Sequence, residues 1–332
     1  IGAETFKNCN RLKSVTIPNS VTSIGNNAFS YCNKLSIVNF NATNCNTTSP
    51  IFNKCEALET INIGSNVTNI PDYLFAYCTN LKSIVIPDFV TNIGKKAFSN
   101  CYNLAEIHIP KSITSVGDSA FFRCDKLASV YYDGDVEGWC RIAFPIFSDY
   151  SWIVHDLYIG NELTSEITIP ETVSEIKDYA FCCVKSLKSV TLPNSVKRIG
   201  KKAFFYCYNL ADSLIIPKSV TDIGYEAFYG CYNLTGNLII PENVKNIGKY
   251  AFYDCAGFKT ITIKNPIVDI GEKAFSYVRN IVHHGPDDES WGALTVNGFI
   301  DGDMIYSDST KTELTGCSVS ASDIEIPNTV TT

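Results

Sequence analysis

Cysteine recurs in this chain of 332 residues at a fixed spacing, and no other sequence feature constrains the fold as strongly. Six cysteines stand at every twenty-third position and three more at every twenty-fourth, namely Cys9, Cys32, Cys55, Cys78, Cys101 and Cys124, then Cys207, Cys231 and Cys255. Val184 and Val278 occupy the same slot, and each of these eleven positions follows a phenylalanine by three. A fixed period of about 20 to 50 residues predicts a solenoid, whose coils bury apolar residues against each other.

Each repeat contains a short pattern typical of a strand. In "SVTI", residues 14–17, polar and β-branched residues alternate, which places Val15 and Ile17 inward and Ser14 and Thr16 outward. The proline that follows has no N–H to donate to a ladder, so it marks the end of the strand. The pattern predicts one short strand in each coil, stacked in parallel on the next coil.

The second half of each repeat predicts a short turn of helix. Ala28, Phe29 and Cys32 fall at helical spacing, so an α or 3-10 turn is expected to bury the phenylalanine and the cysteine. A glycine stands four positions before most of the phenylalanines, and one repeat has Pro71 in that position. Since proline restricts φ to the negative, right-handed region, we expect this slot to open a helical turn and not to be left-handed.

The full repeat, "C-x-x-L-x-x-V-x-I-P-x-x-V-x-x-I-G-x-x-A-F", resembles the BspA-like subfamily of leucine-rich repeats, and the resemblance covers most of residues 1–130 and 163–281. It implies an α/β-type repeat solenoid that forms a leucine-rich-repeat arc. Each coil of 23 or 24 residues is expected to contain one short parallel strand and a short helical or 3-10 turn. BspA-like proteins are implicated in adhesion to host matrix proteins and to other cells. The resemblance therefore implies an extracellular or cell-surface scaffold whose partner is a host, cell-surface or matrix protein.

Two departures from the period divide the chain. The predicted parts are a first repeat array (1–130), an irregular enlarged repeat (131–162), a second array (163–282), an irregular segment with hairpins (283–322) and the start of a further repeat (323–332). The enlarged repeat is expected to hold an extra helical segment around Trp139 to Phe144, and the array to resume at Ile167 and Ile169. Residues 41–50 are expected to form a surface loop. No coil has a core of its own, so we expect residues 1–281 to form one continuous solenoid.

Composition narrows the range of partners. The formal net charge of −7 and the pI near 5.2 argue against nucleic acid or an anionic membrane as the main partner. No apolar run approaches the roughly 18 residues that a membrane span requires. The chain begins with the second half of a repeat and ends with the first half of one, so it is expected to be part of a longer protein whose targeting signals lie elsewhere. We expect a monomer without a cofactor.

The fourteen cysteines are expected to be buried free thiols that serve as small apolar residues. Equivalent cysteines on adjacent coils lie about 5 Å apart, but their Cβ atoms point the same way, which disfavours disulfides. Valine in two of the slots agrees with this interpretation. No CxxC pair or Cys/His cluster has the spacing of zinc ligands, so no metal site is predicted.

The sequence offers little for catalysis. The chain has four histidines and no GxSxG, HExxH or Walker-type loop. Asp133, Asp135 and Glu137 form an acidic loop that would suit calcium or a general acid, but a solvated turn is the favoured interpretation. We therefore predict that the protein is not an enzyme.

The outward strand positions form the expected binding surface, because they align across the coils of a solenoid. Small polar residues dominate these positions, but Val85, His108 and Tyr131 form a contiguous apolar and aromatic row beside the segment that carries Trp139. With Glu106, which lies beside them, these are the candidate binding residues, and Ser129 borders them. Three alternatives stay open. The row packs against the enlarged repeat, the array is a structural spacer, or Tyr131 and Trp139 bind carbohydrate, which requires an exposed Trp139.

Overall fold

The structure is a computed structural model that describes residues 1–144, 155–264, 269–278 and 281–283, together with short strands between residues 296 and 317. The chain divides into two compact units. The first contains residues 1–164 and 183–186, and the second contains residues 165–182 and 187–332. The end of the chain, including the further repeat predicted at 323–332, lies outside the described residues.

The first unit contains eleven strands and one helix among its described residues. The strands are β1 (Ser14–Ile17), β2 (Ile37–Phe40), β3 (Thr60–Ile63), β4 (Asn69–Ile70), β5 (Ser83–Val85), β6 (Asn92–Ile93), β7 (Glu106–Ile109), β8 (Ser115–Val116), β9 (Ser129–Tyr132), β10 (Asp156–Ile159) and β11 (Glu162–Leu163), and helix α1 (Val136–Arg141) lies between β9 and β10. Parallel pairing joins β1, β2 and β3 in one sheet and β5, β7, β9 and β10 in another, which β11 extends antiparallel. Equivalent residues of successive repeats pair, as Ser14 does with Ile37. The predicted parallel register is confirmed.

The coils contain a second strand that the sequence analysis missed. The two-residue strands β4, β6 and β8 pair in parallel and form a separate sheet. Ile70 and Ile93 point into the core, and the N–H of Gly94 donates to the carbonyl oxygen of Ile70 at 2.8 Å. The prediction of one strand in each coil is wrong, because a strand of two residues is too short for its alternation to be recognised in the sequence.

The expected helical or 3-10 turn is absent from the described coils, in which the segment around each phenylalanine is a series of turns. The N–H groups of Lys96, Phe98 and Asn100 donate to carbonyl oxygens of the next coil at 2.6 to 2.9 Å. The N–H groups between them donate within the turn at 3.1 to 3.3 Å. Lys96 and Asn100 have φ angles of 52° and 61°. Residues in the left-handed region interrupt a right-handed helix, so bonding to the next coil has replaced the helical pattern.

One place in the first unit lacks backbone bonding between coils. No backbone hydrogen bond joins residues 41–63 to residues 64–86, all of which the structure describes. We call this boundary the seam. The segment 41–50 beside it is not the predicted surface loop, because Ala42, Cys45 and Thr47 are buried. Side chains do cross the seam: the Thr47 hydroxyl donates to the carbonyl oxygen of Asp72, and the Asn80 amide donates to that of Glu56.

The glycine slot is explained by close packing of coils. None of the slot glycines has a positive φ, which confirms that the slot is not left-handed. A Cβ atom at Gly94 would lie 2.6 Å from the nitrogen of Asp72 in the preceding coil, closer than real Cβ atoms approach backbone. Pro71 occupies the same slot at the seam, where no backbone hydrogen bond joins its coil to the preceding one. The slot therefore excludes a side chain only where the preceding coil approaches closely.

Phenylalanine rings and cysteine thiols form the centre of the core. Successive rings stack with centroids 5.0 to 6.2 Å apart in the first unit and 5.1 to 5.7 Å apart in the second. Thiols also donate to the carbonyl oxygen of the phenylalanine in the preceding coil, as Cys55 does to Phe29 at 3.0 Å and Cys124 does to Phe98 at 3.2 Å. The thirteen cysteines described are free, and all except the partly exposed Cys9 are buried. Cysteine is thus a hydrogen-bond donor here as well as a small apolar residue.

These thiols are expected to resist modification in the folded protein. Burial raises the pKa of Cys55 and of Cys140 to about 12, so they stay protonated and weakly nucleophilic. Titration with a thiol reagent at pH 8 is expected to detect few thiols in the native protein and nearly all fourteen after denaturation. Rapid reaction of most thiols in the native protein would contradict the burial of the cysteine ladder.

The irregular segment 131–162 contains a helix and a further strand. Helix α1 begins after Asp135, whose carboxylate accepts a hydrogen bond from the N–H of Gly138 at 2.8 Å. Trp139 is buried on this helix. The helix overlaps the expected segment at Trp139 to Phe144, but each of its ends lies a few residues earlier in the chain. The array resumes at β10, before the expected Ile167, because Leu157 points inward in register with Val130.

The second unit repeats the same organisation. Its strands are β12 (Glu166–Thr168), β13 (Glu175–Ile176), β14 (Ser189–Thr191), β15 (Arg198–Ile199), β16 (Asp222–Ile223), β17 (Gly236–Ile240), β18 (Asn246–Ile247), β19 (Phe258–Ile263), β20 (Asp269–Ile270), β21 (Ile281–His283), β22 (Val296–Asn297), β23 (Phe299–Asp301), β24 (Met304–Tyr306) and β25 (Leu314–Cys317). The short strands β13, β15, β16, β18 and β20 form one parallel sheet. The other strands form the β12–β14 and β17–β19–β21–β22 sheets, and β23, β24 and β25 pair antiparallel.

Candidate functional site

Four outward side chains align across the β5–β7–β9–β10 sheet of the first unit. Val85 pairs with His108, His108 with Tyr131, and Tyr131 with Tyr158 in the register of the strands. We call these four residues the stripe. The structure thus places Val85, His108 and Tyr131 next to one another, and it adds Tyr158, which the sequence analysis missed. The signal was present in "DLYI", residues 156–159, but the whole of 131–162 had been treated as irregular.

The aromatic rings of the stripe stack face to face. The ring centroids of His108 and Tyr131 lie 4.4 Å apart with an interplanar angle of 6°, and those of Tyr131 and Tyr158 lie 4.5 Å apart at 19°. All three rings are half-buried, while Val85 is 65% exposed. Tyr131 therefore packs on the irregular segment through Tyr158, yet its ring stays partly accessible. Because each ring covers the face of the next, the stripe presents ring edges and polar atoms to a partner.

A polar row runs beside the stripe, two residues earlier on each strand. It consists of Ser83, Glu106, Ser129 and Asp156, which follow the same register. Asp156 forms an ion pair with Lys185 at 3.2 Å. Glu106 is half-buried and contributes a negative charge next to His108 and Val85. The surface therefore combines an apolar and aromatic centre with a polar, partly acidic border.

Trp139 does not belong to this surface. It is 2% exposed, and its ring contacts Tyr132 edge-to-face with centroids 5.4 Å apart and Phe144 with centroids 5.3 Å apart. The helix turns the indole into the core under β9. Trp139 is therefore a core residue, and its ring offers no platform on which a sugar would stack.

The acidic loop around α1 has structural partners. Asp135 caps the helix, and Glu137 forms an ion pair with Arg141 one turn later. Among the described residues no three His, Cys, Asp or Glu side chains lie close enough to hold a metal ion. In the same part of the chain, no helix has the length and apolar character needed to cross a membrane.

A second apolar surface, in the second unit, was not anticipated from the sequence. Ile239, at an outward position of β17, is 49% exposed, and Ile215, which lies outside the strands in the preceding coil, is 74% exposed. They line a cavity of about 570 Å³ together with Pro217, Pro241 and Lys218. The sequence analysis gave weight to aromatic residues and therefore passed over these two isoleucines.

Comparison with solved structures supports the fold. A leucine-rich repeat protein from Eubacterium ventriosum is 21% identical with a TM-score of 0.54, and the match covers 82% of this chain and 73% of that one. A leucine-rich cell surface protein from Faecalibacterium prausnitzii is 25% identical over 80% of this chain and 82% of that one, with a TM-score of 0.44. The pneumococcal vaccine antigen PcpA is 16% identical over 87% and 79%, with a TM-score of 0.45. The Eubacterium ventriosum structure shows the fold that the two chains share.

Comparison with protein families is more specific. No curated protein matches the chain significantly. The family model described as the BspA type leucine rich repeat region matches six copies, over residues 1–128 and 153–282. These ranges contain the repeated phenylalanines, the cysteine ladder and most of the stripe, and they leave out most of the irregular segment. The chain therefore belongs to the BspA-type leucine-rich repeat family.

Proposed function

We propose that this protein is a non-enzymatic scaffold that recognises another protein through the stripe. The observation that supports the proposal is the stacked, half-buried row of His108, Tyr131 and Tyr158 with the exposed Val85 at its end. Aromatic anchors surrounded by polar groups are the usual composition of a protein-binding hot spot. The rings hold one another in place, so little side-chain entropy is lost when a partner binds.

The geometry favours a protein over a carbohydrate partner. A sugar stacks on the exposed face of an aromatic ring, and Tyr131 has His108 on one face and Tyr158 on the other. Trp139 is buried and supplies no alternative platform. Ring edges, hydroxyl groups and the carboxylate of Glu106 suit a protein surface that has apolar groups and hydrogen-bond donors.

The setting of this recognition is part of the proposal. An extracellular or cell-surface location, with adhesion to a host, cell-surface or matrix protein, is what the family resemblance implies. Antibody labelling of intact cells of the source organism tests the location. If the protein is only a structural spacer, no substitution in the stripe will affect its interactions.

Replacing Tyr131 by alanine is expected to weaken binding about 30-fold, equivalent to about 2 kcal/mol, if the ring anchors a partner. The removal also takes away the stacking support of His108 and Tyr158. Binding is measured by surface plasmon resonance on a panel of immobilised extracellular-matrix proteins, beginning with those that the unmodified protein binds. Thr191→Ala, on the polar strand β14, is the control and is expected to bind as the unmodified protein does. Binding by Tyr131→Ala and His108→Ala that equals that of the unmodified protein would contradict the proposal.

A further inference from the structure

Strand β5 has one edge without a partner strand. In a parallel ladder the N–H and C=O of one residue point to the same neighbouring strand, and successive residues alternate. The N–H of Ile86 donates to the carbonyl oxygen of His108 at 3.0 Å, so Ile84 and Ile86 face β7. The backbone groups of Ser83 and Val85 therefore face the opposite side, toward the seam. On that side β3 is the next strand, and it does not pair with β5.

A cavity of about 380 Å³ lies between β3 and β5, which do not pair with each other. Residues 59–63, with β3, form one wall, and Ser83, Ile84, Val85 and Pro87 form the other. Both strands line the cavity along their whole length, so the space runs parallel to the strands. An extended chain that binds here would lie along the cavity, parallel to both strands.

The contacts that close the seam elsewhere are made by side chains, including the hydrogen bonds from Thr47 to Asp72 and from Asn80 to Glu56. The rings of Phe52 and Phe75 lie 6.2 Å apart across it, compared with 5.4 Å and 5.5 Å for the stacked pairs on either side. Cys78 does not donate to the oxygen of Phe52, whereas Cys55 and Cys101 make the equivalent bonds in neighbouring coils. Widening the seam to admit another strand therefore breaks no hydrogen bond between two backbone groups, only the side-chain bonds of Thr47 and Asn80.

We propose that the β5 edge binds an extended peptide segment of a partner protein, which pairs with Ser83 and Val85 as an added strand. Unpaired N–H and C=O groups that alternate along an edge are matched by a polypeptide main chain, which is why exposed edges recruit strands. Glu59 lines the cavity between β3 and β5, and Glu106 lies beside Ser83 in the strand register. Basic side chains on the peptide are therefore favoured. Outward side chains of the added strand would lie beside Val85.

The inference does not depend on the proposed function, because it rests on backbone groups of an edge and not on the aromatic rings. The probe is the peptide KTVTVTK, acetylated, amidated and labelled with fluorescein, titrated with the full chain and followed by fluorescence anisotropy. Saturable binding is expected, and Tyr131→Ala is expected to leave it unchanged. The same peptide N-methylated at both valines retains its side chains but loses donors, and it is expected to bind at least about tenfold more weakly.

Proline at Val85 tests the edge directly. Val85→Pro removes an N–H that faces the seam and leaves the β5–β7 hydrogen bonds in place, so it is expected to weaken peptide binding at least about tenfold. Val85→Ala keeps the N–H and loses only side-chain atoms, so it is the matched comparison and is expected to bind the peptide more tightly than Val85→Pro. Ser83→Pro with Ser83→Ala forms a second pair if the first proline variant does not fold. Amide hydrogen exchange at Ser83 and Val85 is expected to slow when the peptide is added to the unmodified protein.

Four results would overturn the inference. The first is no binding of the peptide up to about 1 mM, a concentration that corresponds to a binding free energy of only about 4 kcal/mol. The others are equal binding of the N-methylated peptide, equal peptide binding by the proline and alanine variants, and unchanged amide exchange at Ser83 and Val85 in the saturated complex. Loss of partner binding in Tyr131→Ala with intact peptide binding supports both sites separately.

Discussion

Phe98→Ala is expected to lower the free energy of unfolding by about 3 to 5 kcal/mol. Phe98 is fully buried in the middle of the first unit, and its ring stacks on Phe75 and on Phe121, with centroids 5.5 Å away in both cases. Its removal leaves a cavity that the neighbouring coils cannot fill, because backbone hydrogen bonds hold them at a fixed spacing. Denaturation in urea, followed by circular dichroism, measures the change.

Phe89→Ala is the matched control, since Phe89 is a phenylalanine of the same unit that is 59% exposed. Its removal is expected to cost less than about 1 kcal/mol, because most of its surface is already in contact with water. If the two variants lost the same stability, the phenylalanine ladder would not be the core of the array.

Gly94→Ala is expected to lower the free energy of unfolding by about 2 to 3 kcal/mol, which is a large effect for the addition of one methyl group. The new Cβ atom would meet the nitrogen of Asp72 at 2.6 Å and the carbonyl oxygen of Ile70 at 2.7 Å. Both are backbone atoms, so the strain is relieved only if the two coils move apart. That movement would weaken the bond of 2.8 Å between the N–H of Gly94 and Ile70.

Pro71→Ala tests the same slot one coil earlier, where the seam leaves room for a side chain. It is expected to change the free energy of unfolding by less than about 1 kcal/mol, through the greater freedom of the unfolded chain. The same denaturation experiment measures both variants. A cost for Gly94→Ala no larger than that for Pro71→Ala would show that close approach of coils does not explain the glycine.

The residues whose positions the repeat predicted correctly are those that every coil treats alike. Val85, His108 and Tyr131 were placed side by side by counting back from the end of each strand, because parallel coils with the same period keep equivalent residues in register. Burial of the phenylalanines and cysteines followed from the same regularity. The family resemblance rests on the repeated phenylalanines and cysteines too, and these lie within the ranges that the family model matches.

The predictions that were wrong depend on how one coil bonds to or packs against the next. Whether the N–H of Phe98 completes a helical turn or donates to the next coil depends on the position of the Ala120 carbonyl oxygen, and local spacing carries no information about that choice. The burial of Trp139 likewise follows from the way α1 packs under β9. An exposed and a buried tryptophan on a short amphipathic helix have the same local sequence pattern.

The sequence by itself determined the repeat length, the inward and outward faces of the longer strands and the stacking of like residues, because a fixed period forces equivalent residues together. Only the tertiary structure decided where the ladder is interrupted, which aromatic ring reaches the surface and which backbone edge stays unpaired. The seam beside Val85 arises because one irregular coil, residues 41–63, does not hold its neighbour at hydrogen-bonding distance. Such a distance is a property of two packed coils, and neither coil encodes it alone.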